Sequence, residues 1–311
     1  MEDNNKKRRS GILLALLAAA LYAVSAPMSK LLLDHVPSTL MAGLLYLGAG
    51  VGMLPIALIR KVRGSAQGKA GVPYQPEARL TRRELPYTVA MILLDIAAPI
   101  CLLVGLRSTT AANAALLNNF EIVATALIAL LLFREKISPR LWAGILFVTL
   151  SCGLLSFEDI SGFQFSGGSL FILLACVCWG FENNCTRKIS SKDPLQIVLL
   201  KGIFSGAGSV VIGLSVGERI TTLWSVFAVL GVGLVAYGLS IFFYVYAQRL
   251  IGAARCSAYY AVAPFISTLL SLIIFREKPP TTYFVALALM ALGAWLSSQD
   301  KPLFARGKRR V

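Results

Sequence analysis

Ten runs of apolar residues, 17 to 24 residues long, alternate with short polar segments along this chain. Crossing about 30 Å of hydrocarbon takes roughly 20 residues of helix, so each run reads as one membrane span. The runs cover Gly11 to Leu33, Thr39 to Ile59, Tyr87 to Leu106, Thr110 to Phe133, Leu141 to Phe157, Ser169 to Thr186, Pro194 to Val216, Leu223 to Tyr246, Ala254 to Phe275 and Thr282 to Ser298. Only Arg107 to Thr110 separate the third from the fourth. The first run is longer than a signal peptide and lacks a small-residue cleavage site. The pattern predicts an all-α integral membrane protein of ten transmembrane helices. A basic amino terminus (1–9) precedes five spans (10–157, with a loop at 60–86), then five more (168–298) and a basic tail (299–311).

Composition agrees: 57% of the 311 residues are hydrophobic and 14% charged, with a mean hydropathy of +0.72. The charge is less expected, 30 Lys and Arg against 15 Asp and Glu, a net +15. With a cytoplasmic amino terminus, 24 of the 30 basic residues fall in inside segments, five fall outside (Lys30, Arg107, Arg219, Arg276, Lys278) and Lys201 lies within a span. That asymmetry is the positive-inside rule, so the basic excess records orientation, with both termini cytoplasmic. A nucleic-acid partner would need a basic face on a soluble module, and no segment is large enough to be one.

An internal repeat is also visible. Phe133-Arg134-Glu135-Lys136 closes the fourth span and Phe275-Arg276-Glu277-Lys278 the ninth, an offset of 142 that also pairs Arg107 with Arg249 and Ala111-Ala112 with Ala253-Ala254. An offset of 157 pairs Tyr22 with Trp179, Ser29 with Thr186 and Lys30 with Arg187. The loop after Ile59, which the second half lacks, accounts for the difference. Five is an odd number of spans, so the two copies insert in opposite directions. Inverted repeats of this kind build transporters whose substrate site lies at the midplane between the halves.

The two five-span halves, the aromatic-small pairs Tyr22-Ala23 and Trp179-Gly180 in their opening helices, and the Ala-rich fourth and ninth helices resemble the EamA branch of the drug/metabolite transporter superfamily. The resemblance covers residues 10 to 298. A Glu-Pro pair common in that family is divided here: Glu121 is followed by Ile122, and Pro264 is preceded by Ala263. The resemblance implies export or exchange of small metabolites, often amino acids or related compounds.

Ionisable residues deep in a span are costly and mark functional candidates. Four stand out: Asp95, Glu121, Glu182 and Lys201. Asp95 and Glu121 lie 13 residues either side of Ser108, which puts both some 16 Å below the outer surface at about 1.5 Å per residue. Two carboxylates at one depth in oil suit a shared or exchangeable proton, so both are coupling candidates. Asp95 shares a stripe with Thr88, Met91 and Pro99, and Glu121 a face with Asn118. Glu182 and Lys201 are equally far from the turn near Ser191 and form a candidate ion pair, either a structural bridge between adjacent helices or part of the site.

Polar-aromatic stripes recur at helical spacing: Trp179, Glu182, Asn183 and Thr186 on the sixth span, and Tyr237, Ser240, Tyr244 and Gln248 on the eighth, with Ser257, Tyr259 and Tyr260 from the ninth. A water-accessible cavity explains such stripes; lipid does not, although tyrosines near helix ends also form interfacial belts. Asn118, Glu121, Trp179, Glu182, Asn183, Tyr237 and Tyr260 are therefore the candidate substrate-binding residues. Their aromatic surface and few charges suit small zwitterionic or amphipathic metabolites better than polyphosphates or long sugars.

Other signals carry no chemistry. Gly213-Leu214-Ser215-Val216-Gly217 matches a hydrolase nucleophile elbow, but it closes a membrane span in a chain whose only histidine is His35. Gly48-x-x-x-Gly52 and Gly202-x-x-x-Gly206 read as close helix contacts inside the bundle. All six cysteines fall within spans, with no metal or disulfide spacing, and no Walker A sequence or cofactor motif appears. The chain therefore reads as no enzyme but a secondary transporter of a small organic metabolite, working by alternating access in a cell membrane. A uniporter or channel is the alternative, and a membrane enzyme or sensor a more distant one. The sequence leaves open whether it acts as a monomer or a homodimer.

Overall fold

A computed structural model describes residues 2–69, 80–133, 137–159, 164–189, 192–251, 259–276 and 279–298. The elements in chain order are α1 (Glu2–Ala23), α2 (Ser25–Leu32), α3 (Ser38–Lys69), α4 (Leu85–Arg107), α5 (Ala111–Leu117), α6 (Phe120–Phe133), α7 (Pro139–Ser156), β1 (Phe157–Asp159), β2 (Gln164–Phe165), α8 (Gly167–Ile189), α9 (Pro194–Leu200), α10 (Gly206–Ser215), α11 (Leu223–Gly233), α12 (Ser240–Ile251), α13 (Ala263–Phe275) and α14 (Thr281–Ser298). Among the described residues, eight continuous or interrupted helices are long and apolar enough to cross a membrane, from Arg9–Leu32 to Leu223–Tyr244, and Ala263–Phe275 and Thr281–Ser297 are shorter apolar helices.

Backbone amides with no water to bond must be satisfied within the helix, yet several helices are interrupted. α1 passes into α2 through a turn at Val24. α5 ends at Asn118–Asn119, where Glu121 N donates to Asn118 O and Ile122 N to Asn119 O, tight bonds three residues apart that restart the ladder as α6. A π-helical segment, Lys201–Ser205, joins α9 to α10, and another, Leu234–Leu239, joins α11 to α12. A turn at Ala261–Val262 precedes α13.

Three features depart from the pattern of the sequence. The first, fourth, seventh, eighth and ninth spans, expected as unbroken helices, contain these interruptions because the backbone yields where polar or small residues let neighbours satisfy it. α3 runs ten residues beyond Ile59 to Lys69, since a helix need not stop where its apolar stretch does. Phe157–Asp159 and Gln164–Phe165 form an antiparallel β1–β2 pair with Phe157 opposite Phe165. The Arg-Glu-Lys portion of the first repeat signature and the Glu-Lys portion of the second lie outside the described residues.

The burial pattern is inverted relative to a soluble protein. Leu13, Leu131, Val211, Phe227 and Ile273 are each more than 60% exposed, while small and polar residues such as Ala18, Ala112, Ser151, Ser205, Ser209 and Ser240 are fully buried. Helices in lipid gain little from hiding leucine. They associate instead through close packing of small residues and interhelical hydrogen bonds. Such bonds include Ser151 Oγ to Ala286 O at 2.6 Å, Ser240 Oγ to Ala18 O at 2.9 Å and Ser205 Oγ to Ile92 O at 3.3 Å.

The packing pairs elements from opposite ends of the chain. α1 packs on α12 and α4 on α8; α6 packs on α8 and α13 on α1; α7 packs on α14 and α3 on α10. Glycines set the closest of these contacts: a Cβ on Gly202 would come within 2.4 Å of the backbone of Gly50, and one on Gly233 within 2.1 Å of Leu45 O. The nucleophile-elbow look-alike serves the same architecture. Gly217 takes φ +83°, which turns the chain so that Glu218 accepts the first amides of α3, from Thr39 N at 3.3 Å and Leu40 N at 2.8 Å.

Candidate functional site

The charged residues of the spans gather in the interior. Asp95 lies on the buried face of α4 with Thr88, Met91 and Pro99 and is wholly inaccessible. Its Oδ1 accepts the Tyr46 hydroxyl at 2.9 Å. Its Oδ2 lies 3.3 Å from Lys201 Nζ, an ion contact without hydrogen-bond alignment. The same ammonium donates to Glu182 Oε1 at 2.8 Å, which also accepts the Thr186 hydroxyl. Lys201 thus bridges carboxylates on α4 and α8. It does so from the first residue of the π-helical segment, where α9 gives way to α10.

Counting from the nearest turn pairs Lys201 with Glu182 and does not bring it to Asp95. Asp95 has a cation at its depth, because the Lys201 stem reaches about 6 Å from its own backbone and depth counted from the nearest turn ignores that reach. Nor does the structure join Asp95 to Glu121. Glu121, in the first turn of α6, accepts Asn183 Nδ2 on Oε1 at 2.6 Å. Asn183 also donates to Thr125 Oγ1 at 3.3 Å, and its neighbour Asn184 donates to the carbonyls of Thr125 at 3.1 Å and Gly180 at 2.8 Å. These contacts need α6 and α8 close together: a Cβ on Gly180 would lie 2.8 Å from Ala124 Cβ.

A tyrosine cluster adjoins the charges. Tyr237, on the π-helical segment before α12, has its ring centroid 5.3 Å from Tyr46 and 5.9 Å from Tyr22. Its hydroxyl lies 3.3 Å from Ser25 Oγ, which donates to it. Tyr260 lies 5.9 Å from Tyr22 and 4.8 Å from Tyr244, with its hydroxyl 3.4 Å from Ser240 Oγ. Asn118 sits at the α5 terminus with Oδ1 3.9 Å from Cys176 Sγ. Trp179 is buried in the main core and among the described residues stacks on none of these tyrosines. Ser257 and the side chain of Gln248 lie outside the described residues.

Tyr22, Asn118, Glu121, Asn183, Lys201 and Tyr260 stay partly accessible. They also lie beside the helix interruptions: Tyr22 and Ser25 flank Val24, Asn118 and Glu121 flank the break between α5 and α6, Lys201 and Tyr237 lie in the π-helical segments, and Tyr260 precedes the turn before α13. Among the described residues no group of three or more His, Cys, Asp and Glu is placed to hold a metal ion. An open hollow of about 500 Å³ lined by Arg107, Thr109, Thr110, Asn113 and Ser166 lies apart, at the junction of α4 and α5, and contains none of the candidate residues.

Tyr46, Ser25 and Thr125 were not singled out by sequence reasoning. Tyr46 had a signal, being the one aromatic residue in the run from Thr39 to Ile59.

The profile of the EamA-like transporter family matches residues 9–157 and 166–299. An uncharacterized transporter of Methanothermobacter thermautotrophicus is 25% identical over 283 residues, covering 87% of this chain and 81% of that protein. The uncharacterized transporter YyaM of Bacillus subtilis is 22% identical over 233 residues, covering 71% of this chain and 75% of its own length. One crystal structure superposes with a TM-score of 0.64 at 21% identity, covering 93% of this chain and 95% of its own, and shares the fold. With nearly all of its length matched by the family profile, the chain belongs to the EamA-like transporter family and is a multi-pass membrane transporter of the drug/metabolite type.

Proposed function

We propose that the protein is a secondary carrier that exports or exchanges a small organic metabolite, an amino acid or related compound, by alternating access. The observation that carries this reading is the gathering of partly accessible polar and aromatic residues, Glu121, Asn183, Lys201 and Tyr260 with the buried Tyr237, around helix interruptions inside the bundle. Carriers bind at such points because a broken helix exposes backbone and side-chain polar groups where lipid cannot reach them.

The working layout is ten spans in two inverted halves, with both termini cytoplasmic, in the inner or plasma membrane of the cell. Packing supports it: exchanging first-half and second-half helices turns α1 on α12 into α8 on α4, and α13 on α1 into α6 on α8. The breaks support it too, since Asn118–Asn119 and Ala261–Val262 differ by 143 residues, one from the repeat offset of 142 read between the two Phe-Arg-Glu-Lys signatures. The two stretches matched by the family profile, 9–157 and 166–299, divide the chain at the same place.

Within this reading Glu121 and Asp95 exchange the coupling proton. Glu121 is partly accessible and exchanges directly, whereas the buried Asp95 acts through Lys201, which pairs it with Glu182. The test is counterflow in proteoliposomes loaded with a panel of amino acids, amines and drugs, with and without an imposed pH gradient. Saturable, substrate-specific counterflow is expected, with pH-gradient dependence lost in Glu121→Gln or in Asp95→Asn. Gradient dependence kept in both variants removes the coupling role, and absence of saturable counterflow across the panel removes the carrier reading.

A further inference from the structure

Charge balance inside the bundle points to the sign of the ligand. The described interior holds three carboxylates, Asp95, Glu121 and Glu182, and one ammonium, Lys201. That ammonium is already shared, 3.3 Å from Asp95 and 2.8 Å from Glu182. An incoming carboxylate or phosphate would have to take Lys201 from two buried acids. Glu121 is in the opposite position. It accepts one amide from Asn183 at 2.6 Å, and among the described residues no cationic side chain lies within ion-pair distance of it. Glu121 remains partly accessible, and Tyr22 and Tyr260, whose ring centroids are 5.9 Å apart, lie within its electrostatic reach.

We propose that the ligand presents an organic ammonium group, primary or quaternary, to Glu121, with the rings of Tyr22 and Tyr260 against its alkyl or methyl groups. The proposal rests on the carrier reading for its setting and goes beyond it in naming the charge of the substrate. Two features select an organic cation over a metal ion. The carboxylates do not cluster as metal ligands among the described residues, and aromatic rings attract ammonium groups through their quadrupoles while also burying carbon. Among the described residues of the interior a substrate carboxylate finds no unengaged cation, so an amine binds more tightly than the amino acid that contains it.

A matched trio tests this: phenethylamine, phenylalanine, which adds a carboxylate, and N-acetylphenethylamine, which removes the charge. Binding is read as the ligand-dependent rise in melting temperature of the full chain in detergent, alongside counterflow, with choline and tetramethylammonium as further probes. Phenethylamine or one of the quaternary probes is expected to bind at least tenfold more tightly than phenylalanine and N-acetylphenethylamine. Glu121→Gln, an isosteric change, is expected to weaken that binding at least tenfold while leaving the ligand-free melting temperature and gel-filtration profile unchanged. The ammonium assignment is overturned if no cation in the set binds, if the neutral or carboxylated member binds as well, or if Glu121→Gln binds like the parent. Counterflow of neutral or anionic solutes alone overturns it and leaves the carrier reading intact. Amine binding without any counterflow overturns the carrier reading and leaves the ammonium site standing.

Discussion

Lys201 holds together charges that would otherwise be isolated in oil. Its side chain is 14% exposed, that of Glu182 is 4% exposed and that of Asp95 is inaccessible. Removing one partner of a buried pair leaves an uncompensated charge, a loss of about 3–5 kcal/mol. Lys201→Met strands two carboxylates and is expected to lower the melting temperature in detergent more than Glu182→Gln, which leaves Lys201 beside Asp95. In Lys201→Met, adding Asp95→Asn is expected to restore part of the loss; a double variant no more stable than Lys201→Met means that Asp95 is not charged against Lys201. Part of this network is legible in the sequence. Glu182 and Lys201 stand at similar counts from one turn, and Thr88, Met91, Asp95 and Pro99 fall on one helical face. The rest is not, because a lysine stem can cross to a third helix, and the hydroxyl of Tyr46 meets Asp95 across 49 residues of sequence with no periodicity linking them.

At the scale of elements, hydropathy locates the helices but not their interruptions. A π-helical turn changes the angular position of every residue after it, and an apolar run carries no mark of that change. The Asn118-Asn119 pair is the exception, two amides side by side just before Glu121. The glycines divide the same way, some set against neighbouring backbone and some facing open space, and spacing alone does not sort them. Gly202→Ala would put a methyl group 2.4 Å from Gly50 Cα, whereas Gly153 in α7 has nothing within 4 Å. Overpacking of this kind costs about 1–3 kcal/mol, so Gly202→Ala is expected to melt measurably lower and Gly153→Ala no lower than the parent. Equal melting would mean that α3 and the Lys201–Ser205 segment do not meet backbone to backbone. Thr110, whose hydroxyl accepts Asn113 N at 3.1 Å, caps α5, and Thr110→Ala is expected to cost about 1 kcal/mol.

For the whole molecule, the membrane class follows from composition because only a protein solvated by lipid can expose leucine and bury serine on this scale. Orientation rests on where the basic residues fall, and it is open to direct measurement. With Arg219 outside and Arg140 inside, single cysteines at these exposed positions are expected to react with a membrane-impermeant maleimide from opposite sides, Arg219→Cys in intact cells and Arg140→Cys only after lysis. The reverse pattern inverts the topology. The backbone contact of Gly50 with Gly202, and the neighbouring one of Gly43 with Gly206, has a mechanical meaning for a carrier of two halves. Where no side chains intervene there is no compressible layer, so the first and second groups of helices can roll about this line but not slide along it or part without losing it. In the proposed carrier it would work as a fulcrum, and the charged and aromatic residues grouped around Lys201 would lie close to the pivot, where a small rotation changes their access while moving them little.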